Sequence, residues 1–159
     1  MTERIRHPYA VDALKKFRVI YGCVRHHFRE VEKKCGVSGS QLWILQEAAA
    51  TPGIGVSEIA DRLSIHQSTC SQLVDKLVSR GLLFKERSKQ DQRRVGLTLS
   101  AAARKLMGSA PGPAEGVFPD ALKALSESDL RQLNDALSKV IGELRVRDER
   151  FANKPLADL

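Results

Sequence analysis

Long apolar runs are missing from this sequence. No stretch approaches the roughly 18 consecutive apolar residues that a membrane helix needs. The opening residues, MTERIRHPYA, contain no apolar core of a secretion signal. We therefore expect a cytoplasmic protein that does not act at a membrane.

Cysteine is scarce, and no catalytic pattern is present. Cys23, Cys35 and Cys70 are odd in number and widely spaced, so they make neither a disulfide framework nor a CxxC metal pair. The sequence has no phosphate loop and no Ser, His and Asp set at a recognisable spacing. In RHHFR (residues 25–29), adjacent histidines on a helix diverge by about 100°, which favours a solvated face or intersubunit packing over a metal site. We expect no enzyme, no metal and no cofactor.

Positive charge is what the sequence has in excess. The net charge is +7, and residues 1–40 carry nine Lys and Arg against four Asp and Glu. Residues 101–159 carry nine of each and balance. The excess in the first two thirds of the chain indicates a polyanionic partner, either nucleic acid or an acidic membrane surface.

Both ends of the chain have the pattern of an amphipathic helix. Apolar residues recur at alternating spacings of four and three from Ala10 to Val31, which predicts a helix from Tyr9 to Lys34 with one apolar stripe. A stripe this long favours packing against a second subunit. The last long helix follows the capping sequence SESD and has its own apolar face, made of Leu130, Leu133, Leu137, Val140, Ile141 and Leu144.

The centre of the chain predicts a helix-turn-helix. Ser38 and Gln41 fit a capping box for a preceding helix. Residues 56–83 then predict a short helix capped by Ser57, a tight turn at residues 64–65, and a second helix from about Gln67 that Gly81 closes.

A β-hairpin is predicted directly after these helices. LLFKER (residues 82–87) and RVGLTL (residues 94–99) alternate apolar and polar residues, which indicates two half-buried antiparallel strands. In the first strand, Leu82, Phe84 and Glu86 share one face of the predicted pattern. The charged segment between the strands is then a protruding wing.

Four segments, in this order, resemble the multiple antibiotic resistance regulator (MarR) family of bacterial transcription factors. They are SGSQLWIL, VSEIADRL, STCSQLVDKLVSRGLL and DQRRVGLTLS. The last resembles the family's Asp-x-Arg wing motif, although the wing tip is about two residues shorter than usual. The similarity spans about residues 9–144 and is strongest from 38 to 100.

The resemblance implies a mainly α fold with a small β-hairpin wing. A winged helix-turn-helix (residues 38–100) would be flanked by an N-terminal dimerisation helix (1–37) and C-terminal dimerisation helices (101–159). It implies a homodimer on a near-palindromic site in double-stranded DNA. Many members of the family release DNA on binding a small aromatic acid, and some respond to cysteine oxidation.

The candidate DNA contacts lie on the second helix and the wing. Glutamine can bond adenine with two hydrogen bonds, and serine or threonine can meet several base edges, so the exposed polar face of the second helix is predicted to read bases; the alternative is a solvated face. An arginine at the wing tip suits a narrow minor groove, and Asp91 is predicted to stabilise the wing by holding Arg93. The predicted contacts are Gln67, Ser68, Thr69, Ser71, Gln72, Lys76, Arg62, Arg87, Lys89, Arg93 and Arg94.

An effector pocket is expected where the family places one, between the helical ends and the winged helix. His7, Arg18, Tyr21 and Trp43 are the predicted lining residues. Arg18 and Tyr21 lie one turn apart and offer a guanidinium for a carboxylate and a ring to stack on it, which predicts a small aromatic carboxylate. Equally open is a solvated Arg18 with Tyr21 in a dimer core.

The sequence therefore predicts a DNA-binding transcriptional regulator, a repressor released by an aromatic acid. Two alternatives stay open: a repressor that responds to cysteine oxidation, and an architectural DNA-binding protein without ligand control. Cys70 is predicted to be a small buried core residue. Cys23, beside Arg25 and His26, is the candidate for a reactive thiol.

Overall fold

A computed structural model describes residues 7–88 and 94–159 of the chain, and the order of its elements confirms the predicted mainly α class with a β-hairpin. The helices and strands are α1 Pro8–Cys35, α2 Gly39–Ala50, α3 Val56–Leu63, α4 Gln67–Ser79, β1 Leu83–Arg87, β2 Val95–Leu99, α5 Ala101–Met107, α6 Val117–Lys123 and α7 Glu127–Gly142. Two short 3₁₀ turns follow at Glu149–Asn153 and Leu156–Asp158. Within residues 7–88 and 94–159, none of the helices combines the length and apolar character that crossing a bilayer requires.

The first helix has the predicted length, but only one half of its apolar stripe is covered. It ends at Gly36, whose φ of 67° is left-handed and whose N–H donates to the Glu32 carbonyl at 2.9 Å. Val24 and Val31, in its second half, are buried. Phe17 and Tyr21, in its first half, are 61% and 53% exposed. The chain therefore leaves an apolar surface on the N-terminal half of α1.

The core lies in the winged helix and is centred on α2. Leu42, Ile44 and Leu45 are at most 1% exposed. The predicted capping box starts this helix: Ser38 Oγ accepts the Gln41 N–H at 3.2 Å, and Gln41 Oε1 accepts the Ser38 N–H at 3.0 Å. The two bonds satisfy backbone donors that a helix start leaves free.

The start of α3 differs from the prediction. Gly55, not Ser57, is the residue before the first helical residue, and Ser57 lies exposed within the first turn. The reason is a long-range contact: the Leu97 N–H donates to the Ile54 carbonyl at 2.9 Å, so the loop before α3 pairs with β2. This pairing places the entry to the helix at Gly55.

The hairpin has the predicted strands, but the facing of β1 is shifted by one residue. Leu83 pairs with Leu99, and both are buried, whereas Phe84 is 50% exposed. Residues directly opposite in an antiparallel pair share one face of the sheet. Leu99 faces the core, so Leu83 faces it too and Phe84 points away; the predicted alternation of Leu82, Phe84 and Glu86 is therefore wrong in phase.

The segment between α5 and α6 packs onto α1 and buries a histidine. His27 is 8% exposed and lies against Gly112, and the Phe28 ring lies against Gly39 and Gly116. Residues 25–29 were expected to form a solvated face or intersubunit packing; His27 instead packs within the chain. Burial lowers the pKa of His27 below its usual value.

The last helix is the least covered element. None of the residues of α7 is buried, and Leu137, Val140 and Ile141 are among its exposed apolar side chains. Beyond α7 the chain returns to the winged helix, where the Asn153 carbonyl accepts the His66 N–H at 3.1 Å. Ser40 Oγ also donates to Asp158 Oδ1 at 2.9 Å. No local pattern in the sequence predicted this return.

Candidate nucleic-acid interface

The fourth helix is anchored by one face and presents the opposite one. Cys70, Val74 and Leu77 are fully buried and fix its orientation against the core. On the other side lie the residues of α4 predicted to contact DNA: Gln67, Ser68, Gln72 and Lys76 are exposed, and Thr69 and Ser71 are partly exposed. The helix begins at Gln67, directly after the turn from α3. An accessible polar face next to a helix start is the geometry that reads a major groove.

The wing and the starts of α3 and α4 enclose one cleft. Its volume is about 910 Å³, and Gln67, Arg87 and Arg94 all line it. The structure therefore brings together a predicted base contact of α4 and two predicted contacts of the wing. Lys89, Asp91 and Arg93 lie outside the described residues, so their assigned roles stay predictions.

Arg62 has internal partners that the sequence did not predict. Its Nη1 donates to Glu47 Oε2 at 2.9 Å and to Thr51 Oγ1 at 3.0 Å, and its Nη2 donates to Glu58 Oε1 at 2.6 Å. The carboxylates of Glu47 and Glu58 raise the pKa of this guanidinium. A phosphate would have to compete with both carboxylates for Arg62.

A family model described as the MarR family matches residues 36–94, which cover α2, α3, α4 and β1. The repressor MdtR of Bacillus subtilis is 25% identical over 89 residues, or 56% of this chain and 57% of MdtR, so the match spans little more than half of that relative. The regulator MgrA of Staphylococcus aureus is 25% identical over 117 residues, 74% of this chain and 78% of MgrA. The winged helix of the chain is therefore similar to that of MarR-family regulators.

Solved structures of MarR-type regulators have the same fold. A DNA complex of MepR from S. aureus superposes with a TM-score of 0.55 at 22% identity, covering 81% of this chain and 94% of that one. The YusO protein of B. subtilis superposes with a TM-score of 0.54 at 19% identity, covering 89% of this chain and all of that one. Winged helix and flanking helices are thus shared across most of the length.

The predicted effector residues lie on or beside two helices. His7 precedes α1, Arg18 and Tyr21 are exposed on α1, and Trp43 is partly buried on α2. Trp43 Nε1 donates to Glu47 Oε1 at 3.2 Å, and the Arg25 guanidinium lies 5.6 Å from the centre of the Tyr21 ring. In the described parts of the chain, no hydrogen bond, ion pair or ring contact joins any two of the four predicted residues.

The cysteines differ in their access to solvent. Cys70 is fully buried, as the sequence predicted, and its Sγ lies 3.6 Å from the Val56 carbonyl oxygen. Burial raises the pKa of the Cys70 thiol to about 11. Cys35 is buried at the end of α1, whereas Cys23 is exposed. A response to oxidants would therefore have to begin at Cys23.

We expect only Cys23 to react quickly with a thiol reagent in the folded protein at pH 8. The thiolate is the reactive form, and because the pKa of Cys70 is raised to about 11, this thiol stays protonated until the pH approaches that value. Mass spectrometry after brief alkylation should find one modified cysteine in the native chain and three after denaturation. Rapid native labelling of Cys70 would contradict this assignment.

Proposed function

We propose that the protein is a MarR-type transcriptional repressor that binds a near-palindromic operator as a homodimer and releases it on binding a small aromatic acid. The observation that carries DNA recognition is the cleft in which Gln67 of α4 meets Arg87 and Arg94 of the wing. Related proteins support the same role: MdtR is named a transcriptional repressor, and MepR was crystallised with an oligodeoxyribonucleotide.

In this proposal α4 lies in the major groove and the wing beside it reaches the minor groove. The first residues of a recognition helix contact base edges, which assigns base reading to Gln67, Ser68, Thr69, Ser71 and Gln72. Arg93 and Arg94 enter the minor groove, where a narrow width strengthens the negative potential. Asp91 orients Arg93, while Lys76, Arg87 and Lys89 contact phosphates, which set register and affinity rather than sequence.

The homodimer follows from the two apolar surfaces that one chain leaves open. The N-terminal half of α1 exposes Phe17 and Ile20, and α7 exposes Val140 and Ile141. Exposed apolar surfaces of this extent mark interaction sites. Residues 1–37 and 101–159 would form the dimer, and residues 38–100 of each copy would reach successive half-sites about 34 Å apart.

A single charge on the open face of α7 should weaken the dimer. Ile141→Glu places a carboxylate where an apolar residue, 48% exposed in one chain, would be buried by the partner. Since full burial of such a side chain contributes about 1.5–3 kcal/mol and it occurs twice, we expect the dissociation constant to rise at least about tenfold. Light scattering against dilution measures this, with Gln132→Glu on the opposite face as the control. A well-folded monomer of the parent at micromolar concentration would remove the homodimer from the proposal.

Substitutions in the reading face should change base preference rather than folding. Genomic selection first identifies the bound DNA. We then expect Gln67→Ala to reduce the preference for one base at one operator position by about 1–3 kcal/mol. We expect Arg93→Ala to weaken operator binding by a similar amount. Gln46→Ala, on the exposed side of α2, is the matched control. Parent-like binding by both variants would refute the docking arrangement. Equal binding of the parent to all sequences would instead support an architectural protein.

The effector we propose is an anionic aromatic acid bound through Arg18, with Tyr21 stacking on its ring. Both side chains are exposed on the same side of α1, one turn apart. Binding of the acid where the helical ends meet the winged helix would favour a particular conformation of the dimer. In that conformation the spacing of the two recognition helices would no longer match the spacing of the DNA half-sites. Such an acid shifts the equilibrium only by its differential affinity for that state.

Benzoate-like and pyridine carboxylates should release the operator, and Arg18→Ala should abolish that release because the carboxylate loses its charged partner. A fluorescence anisotropy titration of the DNA complex measures the effect. Arg29→Ala, an exposed arginine three turns along the same helix, should respond like the parent. No release at millimolar acid, or equal release from Arg18→Ala, would end this assignment.

A further inference from the structure

One charged cluster joins the end of α2 to α3. We call it the Arg62 cluster, and it comprises Glu47, Thr51, Glu58 and Arg62. The guanidinium of Arg62 bonds Glu47 and Thr51 on one side, and Glu58 on its own helix on the other. Its two terminal nitrogens thus bond separate carboxylates in the fixed geometry of a planar fork, whereas an ammonium would have to bond both through one nitrogen.

Glu47 is the member that connects the Arg62 cluster to residues outside it. Its side chain is 22% exposed, against 54% for Glu58, so solvent screens its pairing with Arg62 less. The other carboxylate oxygen of Glu47 accepts the Trp43 indole N–H at 3.2 Å. Lys123 of α6 has its pKa raised chiefly by Glu115, and Glu47 contributes to this shift as well. Glu47 therefore lies where α2 and α3 meet, within electrostatic range of Lys123.

The Arg62 cluster spans the connection between α2 and α3. Thr51 ends α2, and the connection to α3 contains Pro52, Gly53 and Gly55, with Gly53 at a φ of 85°. The pairing of Ile54 with Leu97 anchors this connection to β2, and the bonds of Arg62 add a direct tie from α3 to the end of α2. Arg62 bridges directly across this loop, and α3 in turn packs against the recognition helix α4.

We propose that Glu47 is a positioning residue for DNA recognition, and that Arg62 acts through it by holding α3, and so α4, in a fixed orientation to α2. This inference rests on the proposed DNA-binding function and assigns Arg62 a different role from the phosphate contact predicted from the sequence. The guanidinium is used inside the protein, and the operator is read by a helix whose orientation the cluster maintains.

The two roles of Arg62 predict opposite effects of neutralising Glu47. If Arg62 mainly contacts a phosphate, Glu47→Gln frees the guanidinium and removes a negative charge, so operator binding tightens. If Glu47 positions α3, the same change loosens the helix and operator binding weakens. Asp61→Asn is the matched control, because it removes the same charge from the exposed surface of α3 and measures the pure effect of net charge.

The first experiment measures operator affinity of the full chain as a function of salt concentration. We expect Glu47→Gln and Arg62→Gln each to weaken binding roughly tenfold, the double variant to be no weaker than either single one, and the salt slope to stay at the parent value. Loss of a phosphate contact would instead lower the slope by about 0.9. Tighter binding by Glu47→Gln, a lower slope for Arg62→Gln, or additive losses would overturn the proposal.

A conservative variant separates charge from geometry. Arg62→Lys keeps the positive charge but cannot bond Glu47 and Glu58 together in the same way. We expect it to weaken operator binding nearly as much as Arg62→Gln. A parent-like affinity would show that charge alone matters and would overturn the positioning role.

A second experiment tests the cluster without DNA. In urea, the Glu47→Gln and Arg62→Gln variants should unfold at a lower midpoint than the parent, and the double variant should lower it no further. Emission from Trp43, the only tryptophan of the chain, should change in folded Glu47→Gln and hardly change in Asp61→Asn. Additive shifts of the urea midpoint in the double variant, together with an unchanged Trp43 emission spectrum, would overturn the proposal that Glu47 and Arg62 hold α3 to α2. If the parent prefers no DNA sequence, the proposed function is refuted. The urea and fluorescence results would still test independently whether Glu47 and Arg62 hold α3 to α2.

Discussion

Burial of α2 is the constraint on which the rest of the structure depends. Leu42, Ile44 and Leu45 are enclosed almost completely, and the helix contacts α1, α3, α4, α5 and β2. At about 1.5–3 kcal/mol for each fully buried large apolar side chain, these three are a large fraction of the 5–15 kcal/mol by which a typical domain is stable. Every element that carries a candidate DNA contact is oriented by this helix, directly or through one neighbour.

Charge is divided between two uses around that core. Some cations are engaged in ion pairs within the chain, as in the Arg62 cluster and in the bond from Lys85 Nζ to Asp75 Oδ1 at 2.7 Å. Others, among them Lys76 and Arg87, lie exposed on the helix and wing that face the cleft. Net positive charge therefore overstates the number of groups available to a polyanion, because part of it is needed to hold the helices that present the remainder.

The flanking helices differ from the winged helix in how much of their apolar surface is buried. The winged helix shares one buried core with Val31 of α1 and Ala103 of α5, whereas the N-terminal half of α1 and the whole of α7 keep an apolar face that no part of the described chain covers. The second half of α1, through Val31 and Phe28, packs on the winged helix, and its first half does not. The continuous helix α1 thus connects the buried core with the apolar surface that a second copy would cover. Because a helix is rigid, a change of orientation at one end is transmitted to the other end.

Local patterns in the sequence determined the elements of this protein and much of its candidate site. The apolar period placed α1 within one residue at each end, Ser38 and Gln41 placed the start of α2, and the polar face of α4 was identified with its members. Each of these depends on residues within about one helical turn of each other, where spacing alone carries the information. Trp43 and Glu47, four residues apart, have a spacing that could have indicated their hydrogen bond.

Only the tertiary structure decided the features that depend on distant partners. The start of α3 at Gly55 follows from the pairing of Ile54 with Leu97, the inward direction of Leu83 from the pairing with Leu99, and the burial of His27 from the loop at Gly112. Glu58, a partner of Arg62, is only four residues away on the same helix, but the bond to Glu47 belongs to the same class, because Glu47 lies 15 residues away on another helix. A local pattern records which face of an element is apolar; which particular side chain meets it is settled only when the packed helices and strands bring remote parts of the chain together.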